Sequence, residues 1–368
     1  MHIATKMFDA IVNRRRDFLE RTYNYDDAGL ARDRRILRLA ALLHDVGHTP
    51  FSHGGEDTMP DFAKDKQYRH EDYSAAIVAY LMKDVIESHP LNQNHDIKSQ
   101  DIADFLAGKP SVGRRLFWTN LVDGQLDADR ADYLLRDSYH VGVRYGHYDL
   151  DRLITTLTAI EDPETGDPVL AIELGGQHAA EGLFIARYMM FTQVYFHRTR
   201  RAYDKHLVGV MRTLLAETEG LFPPPSDSEK LQYYIEWDDW RVFGHLANCR
   251  GGSDGRAILG RSHDRCVFET PERPEDSDLH FLENIRNRLG DDVSFVDQTE
   301  KSWYAQGDSD IWIKPRSNQG KVEKLSQLSP VVRGLKEVNQ SRIYVPERLR
   351  QKCQQIVDQE EAKRESRG

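Results

Sequence analysis

The chain has 368 residues, with 50 Lys+Arg against 60 Asp+Glu and a formal net charge of -10. A 39% hydrophobic fraction with 16 Tyr, 14 Phe and 5 Trp is enough for a large core, which excludes a disordered chain. The longest uncharged run free of histidine, Tyr73–Met82, is ten residues long, far short of the roughly 20 that span a bilayer. The acidic balance argues against nonspecific nucleic-acid binding. Cys249, Cys266 and Cys353 are scattered and odd in number, so they give no disulfide framework. With Asp9 and Arg14–Arg16 near the start, no secretory signal is read. The expected location is the cytoplasm.

In chain order, Ile3, Met7, Phe8, Ile11 and Val12 recur at helical spacing and predict a helix over 3–13. Residues 36–43 predict an apolar helix running directly into His44, with Gly47 and Pro50 punctuating the chain behind it. Glu71–Val85 predicts a third helix, and 88–100 read as loop. Leu126–Ser138, opened by the Asp123-Gly124 turn signal, and Asp149–Thr158 predict two more helices. The turn cluster at 162–168 and the apolar run Val169–Leu174 predict a small hairpin inserted between helices. Glu181–Glu217 predicts a long helix with at most one break, aromatic between Phe184 and Tyr203. Pro223-Pro224-Pro225 marks a boundary. Beyond it, 229–345 alternate short helical and strand-like pieces, and the charged tail from Glu347 predicts a solvated, fraying helix.

The strongest chemical signal is His44-Asp45-Val46-Gly47-His48-Thr49-Pro50-Phe51-Ser52-His53. An imidazole and a carboxylate buried together at the end of an apolar helix need partners. A divalent cation satisfies both, and a His/Asp donor set suits Mn, Mg, Fe or Zn. For a lone His-Asp pair, a satisfied core histidine beside a helix C-cap competes with that reading. Two further histidines within nine residues, set around Gly and Pro, favour the metal. A second signal is Asp127-Ala128-Asp129-Arg130-Ala131-Asp132-Tyr133-Leu134-Leu135-Arg136-Asp137. Asp129, Asp132, Tyr133 and Arg136 fall at i, i+3, i+4 and i+7, one face of a helix. That face suits metal ligation and substrate contact, or a solvated charged stripe.

These two blocks, with Arg69-His70-Glu71 between them, resemble the HD-domain phosphohydrolases and, within them, the deoxynucleoside triphosphate triphosphohydrolase branch. The resemblance covers about residues 1–215 well and the rest loosely, as at Ile343-Tyr344-Val345-Pro346. It implies a mostly α fold. An HD-domain helical core over 1–220 carries the small β-hairpin insertion. A smaller α+β C-terminal region at 221–346 and a charged tail at 347–368 follow. It implies a divalent metal held by His44, Asp45 and Asp129, with His48, His53 and His70 lining the phosphate site. Glu56 falls where the branch has an acid near the catalytic histidine. Tyr133 and Asp137 match residues that hold the nucleotide sugar, and Arg200, Arg201 and Tyr203 match a nucleotide-contacting stretch. The family's first metal ligand is a His early in the first core helix. Here Met1-His2-Ile3 resembles the sequence just after it, so the expectation is an N-terminally truncated core, with His2 as the alternative ligand.

The implied activity is hydrolysis of a deoxynucleoside triphosphate to deoxynucleoside and inorganic triphosphate, with His48 and His53 suited to acid/base work near neutral pH. No GxxxxGK[ST] loop is present, so side chains and metal, not a glycine cradle, would hold the phosphates. Two alternatives stay open: an HD hydrolase of another nucleotide (a monophosphate, a cyclic dinucleotide or an alarmone), and a metal-poor HD binding module. Homo-oligomerisation and an allosteric nucleotide follow from the family only. Arg14–Arg16 and Arg32, Arg34 and Arg35 read first as solvated helix faces, so nucleic acid is not indicated. The run Tyr188, Phe191, Tyr195, Phe196 reads as core or subunit interface.

Overall fold

The computed structural model describes residues 1–304, 310–317 and 320–366. The remaining positions of the C-terminal region and tail lie outside the described residues. Helix α1 (His2–Tyr23) buries Ile3, Met7, Phe8 and Ile11 and runs well past residue 13. The helix kinks at Arg15, and the arginines on either side find carboxylates: Arg16 meets Glu20 at 2.8 Å and Arg14 meets Glu173 at 3.0 Å. In α2 (Asp27–Leu43), Arg34 holds Asp9 through two 2.7 Å bonds and Arg32 reaches Asp101 at 2.8 Å. These basic runs are therefore largely ion-paired. Asp26 caps α2, accepting from the Gly29 amide at 2.7 Å.

Two helical stretches are interrupted by wider π turns. Helix α3 (His70–Ala76) passes into a π turn at Ile77–Leu81, in place of one continuous helix to Val85. Within 88–100, read as loop, α4 (Ser99–Leu106) already begins. Helices α5 (Ala128–Val141) and α6 (Leu150–Thr156) follow, then β1 (Leu157–Glu161) and β2 (Pro168–Glu173), the expected antiparallel hairpin. The long aromatic stretch divides into α7 (Gln177–Met190), a π turn at Phe191–Tyr195 and α8 (Arg198–Leu214). The break sits at His197, whose ring caps α8 by accepting from the Thr199 amide at 3.3 Å.

The hairpin is wider than the sequence predicts. Strand β5 (Trp312–Lys314) pairs parallel with β2, with Ala171 opposite Trp312, and β6 (Glu323–Lys324) pairs antiparallel with β5. Such a parallel partner from distant sequence leaves no local signal in the hairpin. Tyr304, Ile311, Ile313, Leu325 and Val332 join the same apolar core as α1, α2, α5 and α7. A second core gathers Tyr73, Ile77, Met211, Phe222, Leu231, Tyr234, Trp237 and Val242 between α3, α8, α9 (Ser228–Ile235) and α10 (Asp239–Ala247). A second sheet has the order β3 (Arg265–Glu269), β7 (Val338–Val345), β4 (Phe295–Lys301), all antiparallel. Helix α11 (Asp276–Leu289) and the terminal helix α12 (Arg350–Glu365) pack with it. The tail helix is solvated over most of its surface, with one face, Cys353, Val357 and Glu360, buried. No helix among the described residues is long and apolar enough to cross a membrane.

Candidate active site

Helix α2 ends at Leu43, so His44 and Asp45 leave its C-terminus in a turn. Buried Leu37, Ala40, Ala41 and Leu43 fix that end against the core. Gly47 lets the turn lie directly on α3: any Cβ there would overlap the Ser74 amide and the His70 carbonyl. The Gly47 amide donates to Ser74 Oγ at 2.9 Å, and Tyr234 donates to the Gly47 carbonyl at 2.7 Å. Across from this turn, Asp127 caps α5, accepting from the Arg130 amide at 2.6 Å, and also pairs with the Arg130 guanidinium. Burial pushes the Asp127 carboxyl up to about 6. Asp129 lies in the first turn of α5.

Two clusters result. His44 Nε2 lies 3.3 Å from Asp45 Oδ2 and 3.3 Å from Asp129 Oδ1. Both His44 ring nitrogens are buried with no hydrogen-bond partner among the described residues. That is costly unless something else satisfies them. One N and two O donors within 4.8 Å of one another fit a hard or borderline divalent cation. Burial opposes protonation of His44, but the two carboxylates outweigh it and its pKa is raised.

The second cluster centres on Glu56. Its Oε1 lies 2.9 Å from His53 Nδ1 and 2.6 Å from His70 Nδ1. The His48 ring stacks on His70, with centroids 3.8 Å apart. Glu56 pushes the His53 pKa above the usual imidazole value through its hydrogen bond. Burial opposes ionisation of Glu56, yet the bonds from His53 and His70 hold its carboxyl far below the usual range. Asp45 joins the two clusters: its Oδ1 lies 3.5 Å from His48 Nε2 and 3.9 Å from His70 Nε2.

Of the other candidates, Tyr133 sits one turn after Asp129, and burial pushes its phenol up to about 12. Asp137 accepts from Tyr195 at 2.7 Å, and the Tyr195 and Tyr133 rings lie 6.1 Å apart. Arg200 donates to the Tyr195 carbonyl at 2.8 Å, and its charge acts on His53. Arg201 turns the other way, onto Asp297 of β4 through bonds of 2.9 and 2.6 Å. The Tyr203 ring lies on His263, centroids 4.5 Å apart. Neither is brought into the clusters. His2 is exposed at the start of α1 and belongs to neither metal-capable group.

Sequence reasoning missed Tyr195 as a neighbour of Asp137. The π turn at 191–195 aims it there, and π turns often mark functional positions. It also missed Arg187, buried against Tyr133. A cavity of about 470 Å³ beside Arg187 and Arg130 is lined by neither the clustered histidines nor their carboxylates. The clusters carry the titratable and ligating groups, and the His53 side chain is 63% exposed.

The HD domain family matches residues 19–137, which contain both clusters, and the HD associated region matches 148–269. YwfO, an uncharacterized protein of Bacillus subtilis (strain 168), is 35% identical over 344 residues, which cover 86% of this chain and 75% of YwfO. The chain belongs to the HD phosphohydrolase superfamily. HD domains bind divalent metals, and the donor set for one is present in this HD-domain chain. A Dictyostelium discoideum protein named deoxynucleoside triphosphate triphosphohydrolase SAMHD1 homolog is 30% identical over 261 residues, covering 70% of this chain and 43% of that protein. The crystal structure of a hypothetical protein from Aquifex aeolicus is 26% identical with a TM-score of 0.73, covering 96% of this chain and 83% of that one. The HD-like fold, mostly α with small sheets, is shared.

Proposed function

We propose that this HD-domain protein hydrolyses deoxynucleoside triphosphates to deoxynucleoside and inorganic triphosphate. One observation carries the reading. Asp45 faces the metal-capable set with one oxygen and the histidine–glutamate set with the other, so a cation site and an acid/base site share one carboxylate. Similarity to the Dictyostelium relative supports the choice of substrate.

His44, Asp45 and Asp129 would hold the cation, which polarises a phosphoryl oxygen when bound and suits Mn, Mg, Fe or Zn. The histidines do the proton work. His53, kept protonated by Glu56, is placed to give a proton to the 5′ oxygen as it leaves. His48 and His70, stacked beside Asp45, line the phosphate side. Tyr133 and Asp137, with Tyr195 bonded to Asp137, form the wall suited to the deoxyribose. Arg200 adds positive charge toward the polyphosphate.

The test is a panel of deoxynucleoside and ribonucleoside triphosphates, nucleoside monophosphates and cyclic dinucleotides, each with Mn²⁺. Turnover is expected for the deoxynucleoside triphosphates. Asp129→Ala should lower it by more than about 100-fold, the upper range for residues that only support ligands, with unchanged helix content. Turnover confined to another member of the panel would replace the substrate and keep the site. Unimpaired turnover by Asp129→Ala would sink the site.

A further inference from the structure

We propose that Asp239 is a positioning residue. From the first turn of α10, its carboxylate holds the left-handed turn at Phe51–Ser52 that places His53 and Glu56 in the reaction centre. The proposal rests on the reading of the histidine cluster given above and adds a residue outside the HD-domain match at 19–137.

Phe51 (φ 61°) and Ser52 (φ 58°) are adjacent non-glycine residues in the left-handed region. Each pays a steric penalty there, and two in succession persist only where the surroundings over-determine them. Three contacts do so. The Phe51 amide donates to Asp239 Oδ1 at 2.8 Å. The Phe51 ring meets Phe243 of the same helix edge-on, with centroids 5.2 Å apart. Within the loop, Thr49 Oγ1 donates to the Ser52 carbonyl at 2.6 Å. Two of the three come from α10, 188 residues further along the chain.

The two consecutive aspartates have different work. Asp238 caps α10, accepting from the Arg241 amide at 2.7 Å. Asp239 is therefore not needed to start its own helix, and its carboxylate is free to reach the loop. What it holds matters because His53 follows the turn directly. The 3-10 turn Ser52–Thr58 then carries Glu56, which bonds both His53 and His70. Without the tether, Phe51 and Ser52 relax toward ordinary backbone regions, and His53 swings off Glu56.

The test uses the full chain as wild type, Asp239→Ala and Asp239→Asn. Hydrogen–deuterium exchange is read over residues 49–58, and kcat and KM are measured for deoxynucleoside triphosphates with Mn²⁺. In Asp239→Ala, exchange in that segment should rise about tenfold, as expected for local opening. Its kcat should fall about tenfold with KM nearly unchanged, the pattern of misaligned catalytic groups. Helix content should be unchanged, because Asp238 keeps the cap. Asp239→Asn retains an oxygen acceptor and should restore both readouts. Unchanged exchange and kcat in Asp239→Ala, or an Asp239→Asn as defective as the alanine, would overturn the proposal. If the wild type hydrolyses none of the nucleotides, the catalytic reading fails and exchange alone decides. Faster exchange in alanine that asparagine restores upholds the tether, and equal exchange in all three overturns it.

Discussion

At the scale of single residues, the Glu56 carboxylate ties His53 and His70 together. It raises the His53 pKa above 6.5 and is itself held below 4.5. Both groups are charged between those values, where the pair stabilises the fold fully. Its contribution fades as pH rises through the raised value of His53, or as pH falls through the depressed value of Glu56. If protonated His53 is the acid, Glu56→Gln lowers the His53 pKa toward its ordinary value. The alkaline limb of the kcat/KM profile should then move to lower pH. An unmoved limb would assign the acid to another group. Both clusters that the structure gathers were named from the sequence: His44 and Asp45 stand out by their adjacency at a helix end, whereas Asp129, Glu56 and His70 came through the resemblance to the HD-domain hydrolases. Tyr195, Arg187 and Asp239 were not legible there. Each enters through a tertiary contact from an element far along the chain, and none stands in a spaced motif. Arg201 and Tyr203 match the expected stretch by order, but successive helix positions turn about 100° apart. That turn carries Arg201 to Asp297 and Tyr203 to His263.

At the scale of elements, the site depends on how closely the turn after α2 lies on α3. Gly47 permits that approach, and Gly47→Ala has no space: its Cβ would meet backbone atoms of His70 and Ser74, which cannot swing away. The expected result is a loss of about 2 kcal/mol of stability, in the range for overpacking, with activity lost as His70 moves off Glu56. Denaturant unfolding and turnover of the variant check both, and near-wild-type values would show that the two elements separate freely. The helices were legible wherever a 3.6-residue apolar pattern repeats. The two π turns were not, since one extra residue per turn leaves composition unchanged. They re-aim the side chains beyond them, and at 191–195 that places Tyr195 on Asp137.

At the scale of the whole molecule, the C-terminal residues complete the core that carries the metal-capable residues. β5 pairs parallel with β2, and Ile311, Ile313, Leu325 and Val332 are buried with α1 and α2. Arg201 on Asp297 ties α8 to the second sheet. A fragment ending at residue 220 would expose that apolar surface and leave Arg201 without Asp297. Such a fragment should be aggregated or molten, read by near-ultraviolet circular dichroism and dye binding. A well-ordered fragment would show that the first 220 residues fold alone. The change in texture after Pro223 was legible in the sequence. The return of Tyr304, Ile311, Ile313, Leu325 and Val332 to the first core was not, because pairing across about 140 residues has no local signature.

The most direct measurement places the whole chain with Mn²⁺ and the four deoxynucleoside triphosphates in ¹⁸O-water and weighs the products by mass spectrometry. The prediction is unlabelled deoxynucleoside together with inorganic triphosphate carrying one ¹⁸O, formed by water attack at the α-phosphorus and absent with Asp129→Ala. Release of orthophosphate or pyrophosphate, or no product at all, would contradict it.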